Sequence, residues 1–483
     1  MTVPQKPNLL LLMADQMQGR VLRLGHPCKT PHLDALAARG VRFERAYTPD
    51  PVCSPARASL MTGLLPHNHG VLWVTHCVDK DQGLLREDKP HWAQRLVEAG
   101  YRTGYFGKWH VDRNETPGRF GWQVAGDAKG PMFRAFEKEV TGGHSHDYHF
   151  TLRRDSDLPP GYSHSVHYGV TDTPPEHREF GLATAMAEQF LGDAMKNRGQ
   201  PWCCFVSTQA PHDPFIAGHK AFAQYDVNAL PTQPNWRDPM PDKPGVYRKL
   251  ARVWADRTDR ELREAAACYY ANITEVDACF GRLLAQLEAA GQLDNTIVVL
   301  TSDHGELLGA HGLYCKNVSA FEEAYNIPMV VAGPGITQGV VTPARVGLHD
   351  LCPTLLELLG VEPIANTDAR SFAPVLRDPS RRQNDFTDGY AEYFGTRYML
   401  TQRVLWHNDW KYVFNGFDID ELYNLANDPF EMRNLVELPE HKGTVKEMLG
   451  RVWDQIRRTG DHSLLNSDYP SLRLAEWGPG QGL

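Results

Sequence analysis

The run Asn8-Leu9-Leu10-Leu11-Leu12-Met13, followed by Ala14-Asp15-Gln16, decides the fold of this chain. A strand with one face in water alternates apolar and polar residues, whereas a strand covered on both faces is apolar throughout. The run therefore predicts a parallel strand in the middle of a sheet, ending just before Asp15.

Helical and strand patterns alternate along the rest of the first part of the chain. Helices are predicted at residues 31–39, 90–99, 184–196 and 259–290, and strands at residues 101–106, 202–208, 296–301 and 327–332. This alternation favours an α/β fold, a doubly wound and mainly parallel sheet flanked by helices. Residues 121–172 and 217–245 lack either pattern, and we expect irregular insertions of the kind that form the walls of a site.

The pattern changes near residue 385. Short antiparallel strands are predicted at 389–394, 399–405 and 411–414, and a helix at 439–458. We expect a larger α/β domain over residues 1–384 and a smaller C-terminal α+β subdomain, with a short antiparallel sheet, over residues 385–483. Residues 463–483 have no clear pattern, and this tail either packs on a neighbouring subunit or is a loose end. We expect a homo-oligomer, a dimer or tetramer.

Composition excludes several classes of protein. The 483 residues carry a net charge of −9, so the chain lacks the excess of basic residues that is typical of nucleic-acid-binding proteins. It also has no polybasic segment that would bind an anionic membrane. No stretch approaches the length of a membrane span, and the apolar run 9–14 is too short for a signal-peptide core. The nine cysteines show no paired spacing, so reduced thiols in the cytoplasm are expected.

A second run carries the chemistry: Pro51-Val52-Cys53-Ser54-Pro55-Ala56-Arg57-Ala58-Ser59-Leu60-Met61-Thr62-Gly63. A third, Asp303-His304-Gly305-Glu306, follows the predicted strand 296–301. Ligand-binding groups collect at the carboxyl ends of strands in open α/β sheets. Asp15 and Asp303 are therefore expected to meet, and Cys53, at the start of its own helix, can join them.

The Cys-Ser-Pro-Ala-Arg core and its Leu-Met-Thr-Gly continuation resemble the signature with which sulfatases present a cysteine for oxidation to formylglycine. With the other motifs, and with the stretch from Trp410 to Asn434, nearly the whole chain resembles a sulfatase of the alkaline phosphatase superfamily. Residues 1–384 would then be the catalytic domain. A formylglycine-generating enzyme would be the maturation partner.

The resemblance implies one divalent metal ion. Its ligands would be Asp15, Gln16, Asp303, His304 and an oxygen of the modified Cys53. Two carboxylates, an amide oxygen and an imidazole suit calcium, manganese or magnesium. Many sulfatases carry aspartate in place of Gln16 and asparagine in place of His304, which weakens the case for calcium and leaves manganese open.

The resemblance also implies a mechanism. Hydrated formylglycine is a geminal diol, in which one hydroxyl attacks sulfur and the other later loses its proton, so that sulfate leaves by C–O cleavage. Asp303 would act as base toward the attacking hydroxyl. Arg57, one helical turn after Cys53, would hold the diol and the charge beside the metal.

Further cations come from three other segments. In Gly104-Tyr105-Phe106-Gly107-Lys108-Trp109-His110, side chains 108 and 110 project the same way if the segment is extended. By resemblance, Lys108 contacts the sulfate and His110 takes the proton that triggers its release. His212, in Ala210-Pro211-His212-Asp213-Pro214-Phe215, and Lys316 would stabilise or protonate the departing alkoxide.

Several alternatives stay open. A second metal site is suggested by five further histidines, at positions 144, 146, 149, 164 and 167. Their spacing fits no ligand pattern, so a substrate-pocket wall or a solvated loop is the preferred interpretation. The expected reaction is hydrolysis of small aryl, alkyl or sugar sulfate esters. Gly25-His26-Pro27 and the segment 29–34 resemble choline sulfatases, although no aromatic cage for a quaternary ammonium is identifiable.

The nearest rival is a phosphonate monoester or phosphodiester hydrolase of the same superfamily. Lys108 and His110 favour sulfate, because those relatives lack the Lys-x-His run. A rival of a different class is an unmodified, catalytically silent binding protein that retains only the fold.

Overall fold

The computed structural model describes residues 6–79, 83–86, 88–113, 116–143, 148–156, 161, 165–316, 318–396, 399–465 and 475–478. Its strands, in chain order, are β1 (Asn8–Ala14), β2 (Gly40–Tyr47), β3 (Arg102–Gly107), β4 (Val124–Asp127), β5 (Phe150–Asp155), β6 (Val166–Thr171), β7 (Trp202–Thr208), β8 (Phe215–Gly218), β9 (Thr296–Ser302), β10 (Met329–Ala332), β11 (Val340–Gly347), β12 (Asp388–Tyr393), β13 (Gln402–His407), β14 (Trp410–Asn415) and β15 (Glu421–Asn424).

The helices, in chain order, are α1 (Pro31–Ala38), α2 (Cys53–Thr62), α3 (Pro66–His69), α4 (Trp92–Glu98), α5 (Pro131–Thr141), α6 (Glu179–Ala194), α7 (His219–Phe222), α8 (Gly245–Ala251), α9 (Asp259–Ala289), α10 (Glu322–Tyr325), α11 (Leu351–Leu358), α12 (Ala373–Arg377), α13 (Pro379–Arg382), α14 (Lys442–Thr459) and α15 (His462–Leu465). No helix in the described ranges is long and apolar enough to cross a bilayer.

The main sheet has eight strands in the order β11-β2-β10-β9-β1-β7-β3-β4. Strand β10 pairs antiparallel with both of its neighbours, whereas the other pairings in this sheet are parallel. The predicted α/β fold with a mainly parallel sheet flanked by helices is confirmed. The antiparallel strand β10 is a local exception to it.

Strand β1 lies at the centre of this sheet, as its apolar run predicts. Leu11 pairs with Phe205 of β7 on one side and with Val299 of β9 on the other. Leu10 and Leu12 pack into a core with α6 and α9, whereas Leu9, Leu11 and Met13 pack into a second core with α2, α4 and α11. Because both faces are covered, every residue of β1 is buried and no alternation survives in the sequence.

A second sheet, β12-β13-β14-β15, is antiparallel throughout. One of its faces packs on α14, through Leu405, Tyr412 and Phe414 against Leu449 and Val452. The other face, through Val404, Trp406 and Val413, packs against Leu313 and Phe321. This sheet therefore supports the segment that follows β9. The tail residues 466–474 and 479–483, which we expect either to pack on a neighbouring subunit or to be a loose end, lie outside the described residues.

Residues 121–172 differ from the sequence expectation. They contain β4, α5, β5 and β6, and β5, β6 and β8 form a third sheet of three strands. Strand β5 is only half-buried and carries Arg153, Arg154 and Asp155, so its period-2 pattern is masked by charges. Strand β2 escaped prediction because charged residues interrupt its buried apolar ones, and β11 escaped because it exposes Val341 and Pro343 and buries Thr342 and Arg345.

The central position of β1 predicts a large cost for truncating it. Replacing Leu11, which is fully buried, by alanine should lower the free energy of unfolding by about 2–5 kcal/mol, since it leaves a cavity between the sheet and its helices. Leu24→Ala is the matched control, because Leu24 is fully exposed. Chemical denaturation checks the difference, and equal stabilities of the two variants would contradict the buried placement of β1.

Candidate active site

The carboxyl ends of four neighbouring strands gather the charged residues. Asp15 follows β1, Asp303 follows β9 and Lys108 follows β3, while the segment after β7 carries His212. Cys53 is the first residue of α2 and is buried, as are Asp15, Asp303 and His304. The expectation that Asp15, Cys53 and Asp303 come together is confirmed by the distances that follow.

Arg57 links the two carboxylates. Its Nη2 lies 2.9 Å from Oδ2 of Asp15, and its Nε lies 2.7 Å from Oδ2 of Asp303. Its Nη1 donates to the backbone oxygen of Lys108 at 2.9 Å and to Oγ of Ser207 at 2.8 Å. The guanidinium, fully buried, thus ties α2 to the ends of β1, β3, β7 and β9.

The donor atoms beside this arginine fit a divalent cation. Asp15, Cys53, Asp303 and His304 each offer one atom, and these four atoms lie within 4.8 Å of one another. Nδ1 of His304 lies 2.9 Å from the backbone oxygen of Gly305, so it donates there and leaves the lone pair of Nε2 for the cluster. Nε2 is 3.1 Å from Sγ of Cys53. Two carboxylates and an imidazole are a ligand set that manganese, magnesium or calcium can take.

Gln16 touches this group through its backbone N–H, while its side-chain amide faces three other residues. Its Oε1 accepts a hydrogen bond from Nζ of Lys316 at 2.9 Å, and its Nε2 donates to Oδ1 of Asp213 at 3.0 Å and to Glu306. Its backbone has a positive φ of 67°, which is unfavourable for a residue other than glycine. Two hydrogen bonds hold that conformation. The backbone N–H of Gln16 donates to Oδ1 of Asp303 at 3.1 Å, and the hydroxyl of Tyr269 donates to the backbone oxygen of Gln16 at 2.6 Å. Ligation of a metal by Gln16 stays a prediction.

Two groups of cations flank Cys53. Nζ of Lys108 lies 2.5 Å from Oδ2 of Asp15 and 3.8 Å from Sγ of Cys53. Nζ of Lys316 contacts Nε2 of His212, whose Nδ1 lies 2.7 Å from the backbone oxygen of Asp213. The sequence thus identified residues that the fold does place around Cys53.

His110 lies on the Lys108 side and is paired with a second histidine. Its Nε2 is 3.1 Å from Nδ1 of His76. Burial lowers the pKa of the His110 imidazole to about 4, and the neighbouring Lys108 acts in the same direction. The ring is therefore neutral at neutral pH and able to accept a proton.

The electrostatics favour negative charge at Cys53. Burial alone would raise the pKa of its thiol, yet Lys108, Lys316 and His304 outweigh burial and pull that pKa well below its usual value. The same competition holds at Asp15, where Lys108, His212 and Arg57 overcome burial and keep the pKa of the carboxyl below its ordinary range. The pocket is therefore built to stabilise an anion at the position of residue 53.

Sequence reasoning missed four contributors. Asp213 and Glu306 stood inside the quoted motifs but received no role, because their contacts with Gln16 span 197 and 290 positions of the chain. Ser207 sits at the end of a predicted strand without a distinguishing pattern. His76 lies in a segment with no helical or strand pattern, so no local signal pointed to it.

The suspected second histidine site receives no support from its described members. His149 is exposed, whereas His167 is buried in β6 with its ring 4.7 Å from that of Trp254 and 4.5 Å from that of Tyr314. Neither belongs to a group of three candidate ligands in the described ranges. His144, His146 and His164 lie outside the described residues.

Comparisons with known proteins agree with this site. The family model described as Sulfatase matches residues 7–361, and one described as N-sulphoglucosamine sulphohydrolase, C-terminal, matches residues 309–458. The chain belongs to the sulfatase family of the alkaline phosphatase superfamily. As a member of that family it is a sulfuric ester hydrolase.

Individual relatives span most of the chain. A choline-sulfatase of Rhizobium meliloti (strain 1021) is 29% identical over 458 residues, which cover 90% of this chain and 83% of the relative. The multifunctional alkaline phosphatase superfamily protein PehA of Trinickia caryophylli is 31% identical and covers 92% of this chain and 93% of its own. The structure of a phosphonate monoester hydrolase from Silicibacter pomeroyi has a TM-score of 0.77 at 24% identity, covering 96% of this chain and 98% of its own, which shows the shared fold.

The buried position of Arg57 predicts a stability effect. Arg57→Gln leaves the buried Asp303 without its arginine and Asp15 with Lys108 alone, and it should cost about 3–5 kcal/mol of unfolding free energy. Arg39→Gln is the control, since Arg39 pairs with Asp294 in solvent and should cost less than about 1 kcal/mol. Denaturation of both variants tests this, and similar losses would show that the arginine does not hold the two carboxylates.

Proposed function

We propose that this chain hydrolyses sulfate esters of small organic molecules through a formylglycine made from Cys53. The observation that carries the proposal is the position of Cys53 at the start of α2, buried and with Lys108, Lys316 and His304 lowering the pKa of its thiol. The same charges would stabilise the oxygens of a sulfate group next to residue 53. The sulfatase family model and the choline-sulfatase relative support this choice of ester.

One divalent metal ion would be held by Asp15, Gln16, Asp303, His304 and an oxygen of the modified residue 53. The ion would be calcium or manganese, with magnesium as the third choice. Such an ion would neutralise sulfate oxygens and lower the pKa of an attacking hydroxyl. The mutual distances within 4.8 Å among Asp15, Cys53, Asp303 and His304 support the assignment. Arg57 keeps both carboxylates fixed while they serve as ligands.

The remaining residues around position 53 would bind the sulfate group and carry out the proton transfers. Asp303 takes the proton of the attacking hydroxyl, and Lys108 holds the sulfate oxygens. Lys316 and His212, in contact with each other, stabilise and protonate the departing alkoxide. His110, neutral because burial lowers its pKa to about 4, later accepts the proton whose loss expels sulfate.

We further propose that residues 1–384 form the catalytic domain and residues 385–483 a supporting subdomain. The assigned site residues all precede residue 384, and the second sheet packs against the segment that carries Lys316. Maturation would need a formylglycine-generating enzyme. A cytoplasmic location is proposed on the nine cysteines, which are unpaired.

Phosphonate monoesters and phosphodiesters are the second candidate substrates. Likeness to the phosphonate monoester hydrolase fold and to the multifunctional relative favours them. The Lys-x-His run, Lys108 to His110, argues for sulfate. Its lysine lies beside both Asp15 and Cys53, where it can contact a sulfate group. A third reading, an unmodified binding protein, would leave Cys53 as a thiol.

Matched 4-nitrophenyl sulfate, phenylphosphonate and phosphodiester substrates separate these readings. We expect the highest kcat/KM on the sulfate, and a loss of about 10⁴-fold or more in Cys53→Ala, since the nucleophile is gone. Higher values on the phosphorus esters would mean that Lys108 and His110 have been misassigned. Rates equal to those of Cys53→Ala on all three substrates would favour the binding protein.

A further inference from the structure

The amide of Gln16 has surroundings that permit only one orientation. Carboxylates accept hydrogen bonds and an ammonium group only donates them. Nε2 of Gln16 faces the carboxylates of Asp213 and Glu306, while Oε1 faces the ammonium of Lys316. Turning the amide over would replace three favourable contacts with three unfavourable ones.

Glu306 uses both of its oxygens to build this arrangement. Oε1 accepts the backbone N–H of Leu308 at 2.8 Å and that of Cys315 at 2.7 Å, and Oε2 accepts Nε2 of Gln16. The side chain is fully buried. It therefore joins the turn after Asp303 and His304, the Gln16 amide and the segment that ends at Lys316.

We propose that Glu306 is a positioning residue that acts through Gln16 and Lys316. It turns the carbonyl oxygen of Gln16, the amide atom able to bind a cation, toward Lys316, and it fixes the loop that brings Lys316 to the leaving group. Asp213 is the second acceptor for the same amide. The inference rests on the proposed function, which makes Gln16 a metal ligand and Lys316 the partner of the alkoxide.

The same arrangement explains why this chain has an amide at position 16. With Glu306 and Asp213 already facing the side chain there, an aspartate or glutamate would bring a third carboxylate into a buried space. Like charges at such distances disfavour ionisation of at least one member. An amide satisfies both acceptors and still offers one oxygen to the metal-binding group.

The decisive variant is Glu306→Gln, which keeps the size of the side chain. The N–H groups of Leu308 and Cys315 need its oxygen, so the new NH₂ group would meet Nε2 of Gln16, donor against donor. Asp213 and Lys316 still favour the present orientation of the Gln16 amide, so this contact displaces the amide from position 306 without turning it over. We expect the affinity of the metal-free protein for Mn²⁺, measured by calorimetry, to fall about 10- to 100-fold.

Leaving-group dependence supplies a readout that simple destabilisation would not move. Glu306→Gln should lower kcat/KM more for phenyl sulfate than for 4-nitrophenyl sulfate, because the poorer leaving group needs Lys316 more. Glu275→Gln is the matched control. Glu275 is buried and accepts bonds from Arg178 and from the N–H of Gly218, away from this group, so both readouts should stay at wild-type values.

The reciprocal double substitution tests the orientation itself. In Gln16→Glu/Glu306→Gln, the amide at 306 donates to one oxygen at position 16 and the other oxygen accepts from Lys316, so that Asp213 alone still faces position 16 with a like charge. Gln16→Glu alone adds a third carboxylate beside Glu306 and Asp213. The double variant should therefore bind Mn²⁺ more tightly than either single variant.

The outcomes distinguish this inference from the proposed function. Wild-type Mn²⁺ affinity and wild-type leaving-group dependence in Glu306→Gln, in an enzyme active on sulfates, would overturn the role of Glu306 and leave the sulfatase proposal intact. Weakened Mn²⁺ binding with rescue by the double substitution, in a protein inactive on all sulfate esters, would uphold the role of Glu306 and overturn the sulfatase proposal.

Discussion

The site depends on one buried ion triad, Arg57 between Asp15 and Asp303. These three side chains come from the helix after β2 and from the ends of β1 and β9, and all three are fully buried. Burying a charge without a partner is costly, so the arginine holds both carboxylates in place and they in turn hold the arginine. The triad thereby fixes the start of α2 against the sheet and sets the position of Cys53.

Around this triad the charges are arranged to favour an anion. Lys108 lies 3.8 Å from Sγ of Cys53, and a second cation, Lys316, contacts His212 and also lowers the pKa of the Cys53 thiol. The lowered pKa of the Cys53 thiol reflects the combined effect of these cations, since burial by itself would raise that pKa. A sulfate group and a cysteine thiolate are both anions, and a buried pocket stabilises either one with nearby positive charges. The cations that lower the pKa of the thiol would therefore also stabilise a bound sulfate group.

The sequence predicted the parts whose signals are local. The apolar run at residues 8–13 shows a strand covered on both faces, and the acidic residues after two such strands show where the sheet collects its ligands. Cys53 and Arg57 came from a short signature by resemblance. Strands β2 and β5 escaped because charged residues interrupt their alternation. The role of Glu306 escaped because it depends on a contact 290 positions away in sequence, which no local pattern encodes.

Mass spectrometry of the tryptic peptide 46–57, combined with activity, tests the central claim most directly. Conversion of Cys53 to formylglycine removes sulfur and two hydrogens and adds one oxygen. Protein made with and without a formylglycine-generating enzyme should show sulfatase activity in proportion to the converted fraction of this peptide. Equal activity in protein that retains the thiol completely would contradict the account.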